Sequence, residues 1–551
     1  MLSTMQDVPL GVAPLLAHGS TVHATRKVIT ASPSGLAEST FAEVAANAAR
    51  LANALVSLGI TGDERVATFM WNNTQHVEAY FAVPSMGAVL HPLNIRLPGD
   101  QVVYIANHAE DKIVIVDHTL LGLFTPLLPA LKTVEHVIVN GPADAAALDA
   151  LRQTASSSVT VHDYVDLISG QPDTYDWPEV DERSAAAMCY TSGTTGDPKG
   201  VAYSHRSIYL HAIASALPAM NNLTTGDRVL GVVPQFHVLA WGLPYAAFAT
   251  GADMVMPGPL LAPGPLAGVI AATRPNKAIG VPTIWAGLLQ YVQANPDADI
   301  SSLREAVVGG AACPPALLDA YDRMGIRLVH GWGMTETSPM GSVARPPAGL
   351  DPETERSYRL MQGRIVPGIQ ARIVGPDGTI QPWDGKSTGE VEVRGPWVTG
   401  RYYGDDPSAA SEKFHDGWLR TGDVGHITPD GFLTLTDRAK DVIKSGGEWI
   451  SSVELENHLM GHPAVLEAAV IGVPDERWGE RPLACVVLKE GQEVTFEELR
   501  EFLSGKVARW QLPERWVVIE EVPKTSVGKF DKKRLRERHA AGELTPEIVR
   551  T

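Results

Sequence analysis

Between Tyr190 and Gly200 the chain reads YTSGTTGDPKG, with hydroxyls on Thr191, Ser192, Thr194 and Thr195, glycines at Gly193 and Gly196, and a single lysine, Lys199. Glycine lets backbone N–H groups converge on a ligand, hydroxyls donate to oxygen atoms, and a lysine adds a mobile positive charge; together they suit a phosphate. The spacing is not that of the P-loop, because Lys199 follows Pro198 and precedes Gly200 where G-K-[ST] is required. The same residue types also build ordinary surface turns, so the eleven positions alone leave that reading open. A second segment, GWGMTETSP, sets Gly331, Trp332, Thr335 and Glu336 close together: an aromatic ring that can stack on a base, a hydroxyl for phosphate, and a hard carboxylate oxygen suited to Mg2+. TGD, Thr421 to Asp423, offers a turn carboxylate able to accept two ribose hydroxyls, and PKTSVGKF places Lys529 after a glycine in a turn. His237 and Trp241 stand in the apolar run FHVLAW, where a lone histidine is ordinarily a satisfied core residue.

These groups need elements to hold them. At 551 residues, 44% hydrophobic and 20% charged, the chain has room for two or more domains and a large core. Its 63 acidic against 45 basic side chains give a net charge of -18, which argues against a general nucleic-acid or anionic-membrane surface. A phosphate ligand must therefore be drawn by local cations or a metal. The three cysteines, Cys189, Cys313 and Cys485, lack metal-ligand spacing and fit buried thiols in a reducing cytoplasm. The N-terminus supports neither a signal nor a transit peptide, and the uncharged run after Val229 is broken by Pro234, Gln235, His237 and Pro244, so it reads as buried interior and not as a membrane span.

Residues 41–58 have helical apolar spacing and stop at Gly59; RVATFM and KIVIVD read as strands around a helix, and AAAMCY, RVLGVV, KAIGV and EAVVGG repeat the short buried-strand signal. The alternation predicts an α/β domain with buried sheets, and it sets the glycine-rich loop directly after a strand. Beyond about residue 370 the texture becomes strands with glycine turns. After Asp437 a smaller α+β module begins, with a capping box at Ser451 and Glu454 and a long helix over FEELREFLSGKVARW. The expected organisation is a large multi-subdomain body over 1–437 and a small mobile domain over 438–551.

Taken in order, YTSGTTGDPKG, GWGMTET, WLRTGD, DRAKDVIKSGGEWISS and PKTSVGK resemble the adenylate-forming superfamily, and within it the acyl-CoA synthetases that act on medium- and long-chain fatty acids. The likeness runs through nearly the whole chain. It implies ATP-dependent conversion of a fatty acid to acyl-AMP and then acyl-CoA, with Mg2+ as cofactor and ATP and CoA as substrates. By resemblance the loop from Thr191 to Lys199 holds the β and γ phosphates, Thr191 and Glu336 serve the metal, Thr335 meets the α-phosphate, and Asp423 binds the ribose. Gly310, Gly331 and Trp332 wall the adenine, although tyrosine is commoner at position 332. Val238, His330, Arg438, Lys440 and Lys444 complete the nucleotide set. Lys440 also matches the hinge, and Lys529 the lysine that bridges charge during adenylation. Gly446, Gly447 and Trp449 fall toward a CoA channel, while His237 and Trp241 match the gate of an acyl tunnel.

The same motifs also serve short sulfur-containing or aryl acids, and some members load a carrier protein instead of CoA. A nucleotide- or lipid-binding protein without catalysis would lack the Lys529 and Glu336 equivalents. The resemblance further implies a cytoplasmic homodimer.

Overall fold

The computed structural model describes residues 1, 3–191, 197–406, 411–445, 448–525 and 529–549. Among the described residues three sheets carry the fold. In the first, seven strands run Thr160–Asp163, His136–Asn140, Asp111–Asp117, Arg65–Phe69, Val89–Pro92, Ala185–Tyr190 and Gly200–Ser204. All neighbours are parallel except the last pair. Apolar helices cover these strands; Phe41–Ser57, for example, opens on a reciprocal capping box between Thr40 and Glu43 and buries Phe41, Val44, Leu51 and Leu55.

The second sheet has fifteen strands and changes character partway. From Lys27–Ser32 to Arg327–Gly333 its strands are parallel, as the continuous apolar runs predict. Beyond Arg327–Gly333 the pairings are antiparallel, through Met340–Val343 and Gly363–Ile365 to Phe432–Arg438, Trp418–Ile427 and Gly389–Arg394. The glycine-turn region after residue 370 is thus continuous with the parallel half. Arg327–Gly333 is the seam between the halves, and its register shifts between Trp332 and Gly333. A β-carbon at Gly333 would lie 1.8 Å from the carbonyl oxygen of Pro339, so the irregularity requires glycine.

The chain leaves this sheet at Arg438 and enters the third, six-stranded sheet at Ile443–Ser445. Its long hairpin Val465–Asp475 with Gly479–Leu488 is backed by helices Ser452–Leu459 and Phe496–Ser504. The second helix is shorter than its sequence suggests: it ends at Ser504, beside Gly505. Ser451 caps the first by accepting from Glu454 N at 3.1 Å. The three cysteines are buried free thiols. Among the described residues no helix is long and apolar enough to cross a membrane; the uncharged run after Val229 becomes a strand, an irregular turn and the short helix Leu243–Thr250.

Candidate active site

The glycine-rich loop joins two antiparallel strands and does not lead into a helix. Its ends are pinned: Thr191 N–H donates to Lys199 O at 2.9 Å, and Lys199 N–H donates to Thr191 Oγ1 at 3.1 Å. Beneath it Tyr190 shares a hydrogen bond with His108 Nδ1 at 2.7 Å. Among the described residues no helix N-terminus lies between the loop and the strand Gly200–Ser204, which is the physical difference from a P-loop. Ser192, Gly193, Thr194, Thr195, Gly196, Gly446 and Gly447 lie outside the described residues, as does the side chain of Trp449.

At the seam of the large sheet Thr335 and Glu336 enter a short 3-10 turn and are almost fully buried. Glu336 Oε1 accepts from the Tyr402 hydroxyl at 2.6 Å, and the Thr335 carbonyl accepts from the Tyr203 hydroxyl at 2.8 Å. Asp423 is aimed just as firmly: Trp332 Nε1–H donates to Oδ2 at 2.7 Å, and Arg438 Nε lies 3.2 Å from Oδ1. Trp332, expected as an adenine wall, makes a contact the motif did not announce. Its ring lies over Gly341, where a β-carbon would come within 2.3 Å of the indole, and its N–H orients a carboxylate. Tyr402, Tyr203 and the Trp332–Asp423 bond are invisible in the motifs, because each partner sits tens of residues away.

Lys529 reaches this group from the small body. A β-carbon at Gly310 would sit 3.6 Å from Lys529 Cε, which places the lysine stem in van der Waals reach of that turn. Its loop closes on itself, Lys529 N–H donating to Thr525 Oγ1 at 3.2 Å and Thr525 N–H to Lys529 O at 2.7 Å. Burial lowers the Lys529 ammonium to about 8, helped by the Arg438 cation and opposed by Asp423 and Glu336. At neutral pH it remains mostly charged.

A buried polar cluster supports that placement. Asp437, on the last strand of the large body, accepts at Oδ2 from Ser452 N–H at 2.7 Å and from the Ser452 hydroxyl. Lys532 lies 2.7 Å from both Ser452 Oγ and Glu456 Oε1. Burial raises Glu456 to about 7 against the pull of Lys532; burial also opposes the Lys532 charge, but the carboxylates of Glu456 and Asp437 outweigh it and raise its pKa.

The gate region has unusual backbone. Val238, Leu239, Ala240 and Trp241 have φ of 46, 53, 52 and 55°, a left-handed turn that costs about 1–2 kcal/mol for each such residue. Hydrogen bonds from Ala240 N to His237 O and from Gly242 N to Leu239 O hold it, with Val238, Leu239 and Ala240 buried. The turn lays the Trp241 indole beside Gly309, 3.2 Å from where a β-carbon would be. Burial, with Lys529 and Arg96 nearby, lowers His237 to about 3, so its ring is neutral.

One cavity of about 1040 Å3 gathers these parts. Thr191 and Lys199 line it from the loop, His237, Val238 and Trp241 from the gate, Gly310 from the bend after Glu305–Val308, and His330, Gly331 and Trp332 from the strand Arg327–Gly333. Thr335, Glu336, Asp423, Arg438, Lys440 and Lys529 complete it. Lys444 does not join them. Strand alternation in Ile443–Ser445 buries Ile443 and Ser445 and turns Lys444 outward, while its N–H donates to Glu480 Oε2 at 2.9 Å. Among the described residues no three His, Cys, Asp or Glu side chains converge on a metal position. That donor set still suits Mg2+, which keeps waters and takes one or two carboxylates with substrate phosphates; Glu336 and Thr191 supply hard oxygens on the cavity wall.

Residues 20–403 match the family model described as AMP-binding enzyme, and residues 454–529 match the AMP-binding enzyme C-terminal domain. The chain is 44% identical over 544 residues to a 3-methylmercaptopropionyl-CoA ligase of Ruegeria pomeroyi, covering 98% of each. It is 43% identical over 547 residues to a medium-chain-fatty-acid--CoA ligase of Ectopseudomonas oleovorans, again covering 98% of each. Among solved structures it superposes on an anthranilate CoA ligase in complex with anthranoyl-AMP with a TM-score of 0.86 at 27% identity, over 98% of this chain and 100% of the other.

Proposed function

The chain belongs to the AMP-binding enzyme family, and from that premise we propose that it is an acid:CoA ligase that activates a fatty acid through an acyl adenylate. The observation that carries the reading is the convergence of Lys529, from the small body, with Thr335, Glu336 and Asp423, from the large one, on a single cavity. In the first half-reaction the carboxylate oxygen attacks the α-phosphorus of ATP and pyrophosphate leaves. Asp423, already oriented by Trp332 and Arg438, accepts the ribose hydroxyls. Thr335 donates to the α-phosphate, and the loop from Thr191 to Lys199 seats the departing pyrophosphate. Negative charge grows on phosphorus between the acid and the leaving group, where the preplaced Lys529 ammonium lowers the barrier. Glu336 and Thr191 would hold Mg2+, which when bound would supply charge neutralisation at the phosphates.

In the second half-reaction the CoA thiol attacks the acyl carbonyl and AMP leaves. Lys529 is not needed there, and rotation about Lys440 removes it from the reacting centre. His237 and Trp241 border the acyl end; a neutral His237 spares the acyl route a charge. We take the protein to act in the cytoplasm, as a homodimer.

The main reading is a medium- to longer-chain acid, supported by the similarity to the medium-chain ligase. A short sulfur-containing acid is the second, supported by the similarity to the 3-methylmercaptopropionyl-CoA ligase. A coupled AMP-release assay over straight-chain, thioether and aryl acids tests both. Turnover that needs ATP, CoA and an aliphatic acid is the expected result; turnover with aryl acids alone, or without CoA, contradicts it.

A further inference from the structure

The turn that presents Asp423 departs from the sheet around it. On one side of it Gly389 and Glu390 pair with Gly425 and Val424, and on the other Glu392 and Val393 pair with Arg420 and Leu419. Thr421, Gly422 and Asp423 therefore stand opposite the single residue Val391. Such a bulge interrupts the ladder and leaves backbone N–H groups without sheet partners. Two side chains supply the missing bonds. The Thr421 hydroxyl donates to Val391 O at 2.7 Å and accepts from Asp423 N–H at 3.0 Å. Gly422, at a φ of 75°, donates its N–H to Glu390 Oε1 at 3.1 Å.

Glu390 is itself held. Its other oxygen, Oε2, accepts from Arg420 Nε at 3.0 Å and from Nη2 of the same guanidinium. Glu392, the next acid on this face of the strand, is engaged by Arg372 at 2.7 Å and His415 at 2.9 Å, and comes no nearer to Arg420 than 3.9 Å. With one oxygen on the turn and the other on a planar fork, the Glu390 carboxylate cannot rotate without losing a partner. The Gly422 carbonyl in turn accepts from Ala439 N–H at 2.9 Å, between Arg438 and Lys440. One glycine is thus tied to Glu390 on one side and to the strand end that carries Arg438 on the other. The cavity wall takes in Thr421, Gly422 and Asp423 but, among the described residues, neither Glu390 nor Arg420.

We propose that Glu390, braced by Arg420, is a positioning residue for the nucleotide's ribose: it sets the backbone from which Asp423 reaches the two hydroxyls and does not touch the substrate itself. This rests on the ligase reading above and adds to it a residue outside the segments that carry the resemblance. Trp332 and Arg438 hold the Asp423 side chain at its oxygens. The Glu390 bond holds the same residue at its root. A charged acceptor makes a hydrogen bond roughly twice as strong as a neutral one, so the turn is stiffest with the carboxylate in place. When the turn shifts, both ribose hydroxyls lose their acceptor together. The consequence is poorer discrimination between ribose and deoxyribose, which a general loss of stability does not produce.

The test is kcat/KM for ATP, 2′-deoxy-ATP and 3′-deoxy-ATP, read as nucleoside monophosphate release by the full chain at saturating acid and CoA. In the wild type each missing hydroxyl should lower kcat/KM about ten-fold. Glu390→Gln keeps the length of the side chain but has one oxygen for two donors, Gly422 N–H and Arg420. The preference for ATP over either deoxynucleotide should fall about five-fold, mostly through a higher KM for ATP. Arg420→Gln frees Oε2 and leaves the Gly422 bond in place; it should lower the same preference about two-fold, so a folding failure of the first variant leaves the second to decide. A merely structural role lowers kcat/KM for all three nucleotides together and leaves the ratios unmoved. Unchanged ratios in Glu390→Gln, or in Arg420→Gln where that alone folds, overturn the positioning role while leaving the ligase reading intact. A wild type that uses the three nucleotides alike overturns the ribose role of Asp423, and the role of Glu390 with it. Absence of monophosphate release with every acid overturns the ligase reading itself.

Discussion

The two sides of the large cavity are built differently. On the large-body side each functional group is fixed by neighbours in the sheet: Glu336 by Tyr402, Thr335 by Tyr203, and Asp423 by Trp332 and Arg438. On the small-body side Lys529 rides on a loop of a body whose link to the large one is polar, through Asp437 with Ser452 and Thr436 with Ser451. The hydrophobic cores follow the same division. Among the described residues the two clusters of the small body contain nothing before Ile443, and the others nothing after Leu435. Polar contacts can be exchanged for water at small net cost, whereas an apolar interface would hold the bodies together. One side is a fixed template, and the other presents its cation across a polar link.

The largest effect should come from breaking the template. Glu336→Gln removes a buried carboxylate beside Tyr402, and pyrophosphate release should fall on the order of 10²-fold or more; a loss below about ten-fold would mean the charge of Glu336 is dispensable. A smaller, one-sided effect is expected at the polar link. Asp437→Asn removes the charge facing Lys532 and weakens the acceptor for Ser452, so acyl-AMP formation should drop about ten-fold while CoA thioester formation from supplied acyl-AMP is spared. Equal losses in the two steps would show that Asp437 only stabilises the fold. The smallest effect is a graded one. Since burial lowers Lys529 to about 8, raising pH through that value discharges the amine, and the rate of acyl-AMP formation should fall as pH rises, by half near the pKa. The decline should vanish in Lys529→Arg, whose guanidinium stays charged; a decline that persists there belongs to another group.

Much of this site was legible in the sequence because it is carried by contiguous motifs. The loop at Thr191, the seam segment at Trp332 to Glu336 and the turn at Lys529 each announce themselves by glycine and hydroxyl patterning, and the buried strands by unbroken apolar runs. What was not legible involves pairs far apart in the chain. Tyr402 and Glu336 are 66 residues apart, and Trp332 and Asp423 are 91 apart, with nothing local to link them. Lys444 differs: the motif groups it with Arg438 and Lys440, but a short strand begins at Ile443 and its two-residue period turns Lys444 outward. The left-handed turn at Val238 to Trp241 was hidden because nothing in four ordinary apolar residues demands positive φ.

The most direct test of the account is a single-turnover comparison of the two half-reactions in Lys529→Ala. If Lys529 is the cation delivered for adenylation and then withdrawn, acyl-AMP formation should slow by about 10²-fold or more, while thioester formation from supplied acyl-AMP and CoA should proceed near the wild-type rate. Equal loss in both half-reactions, or an unimpaired first one, would contradict it.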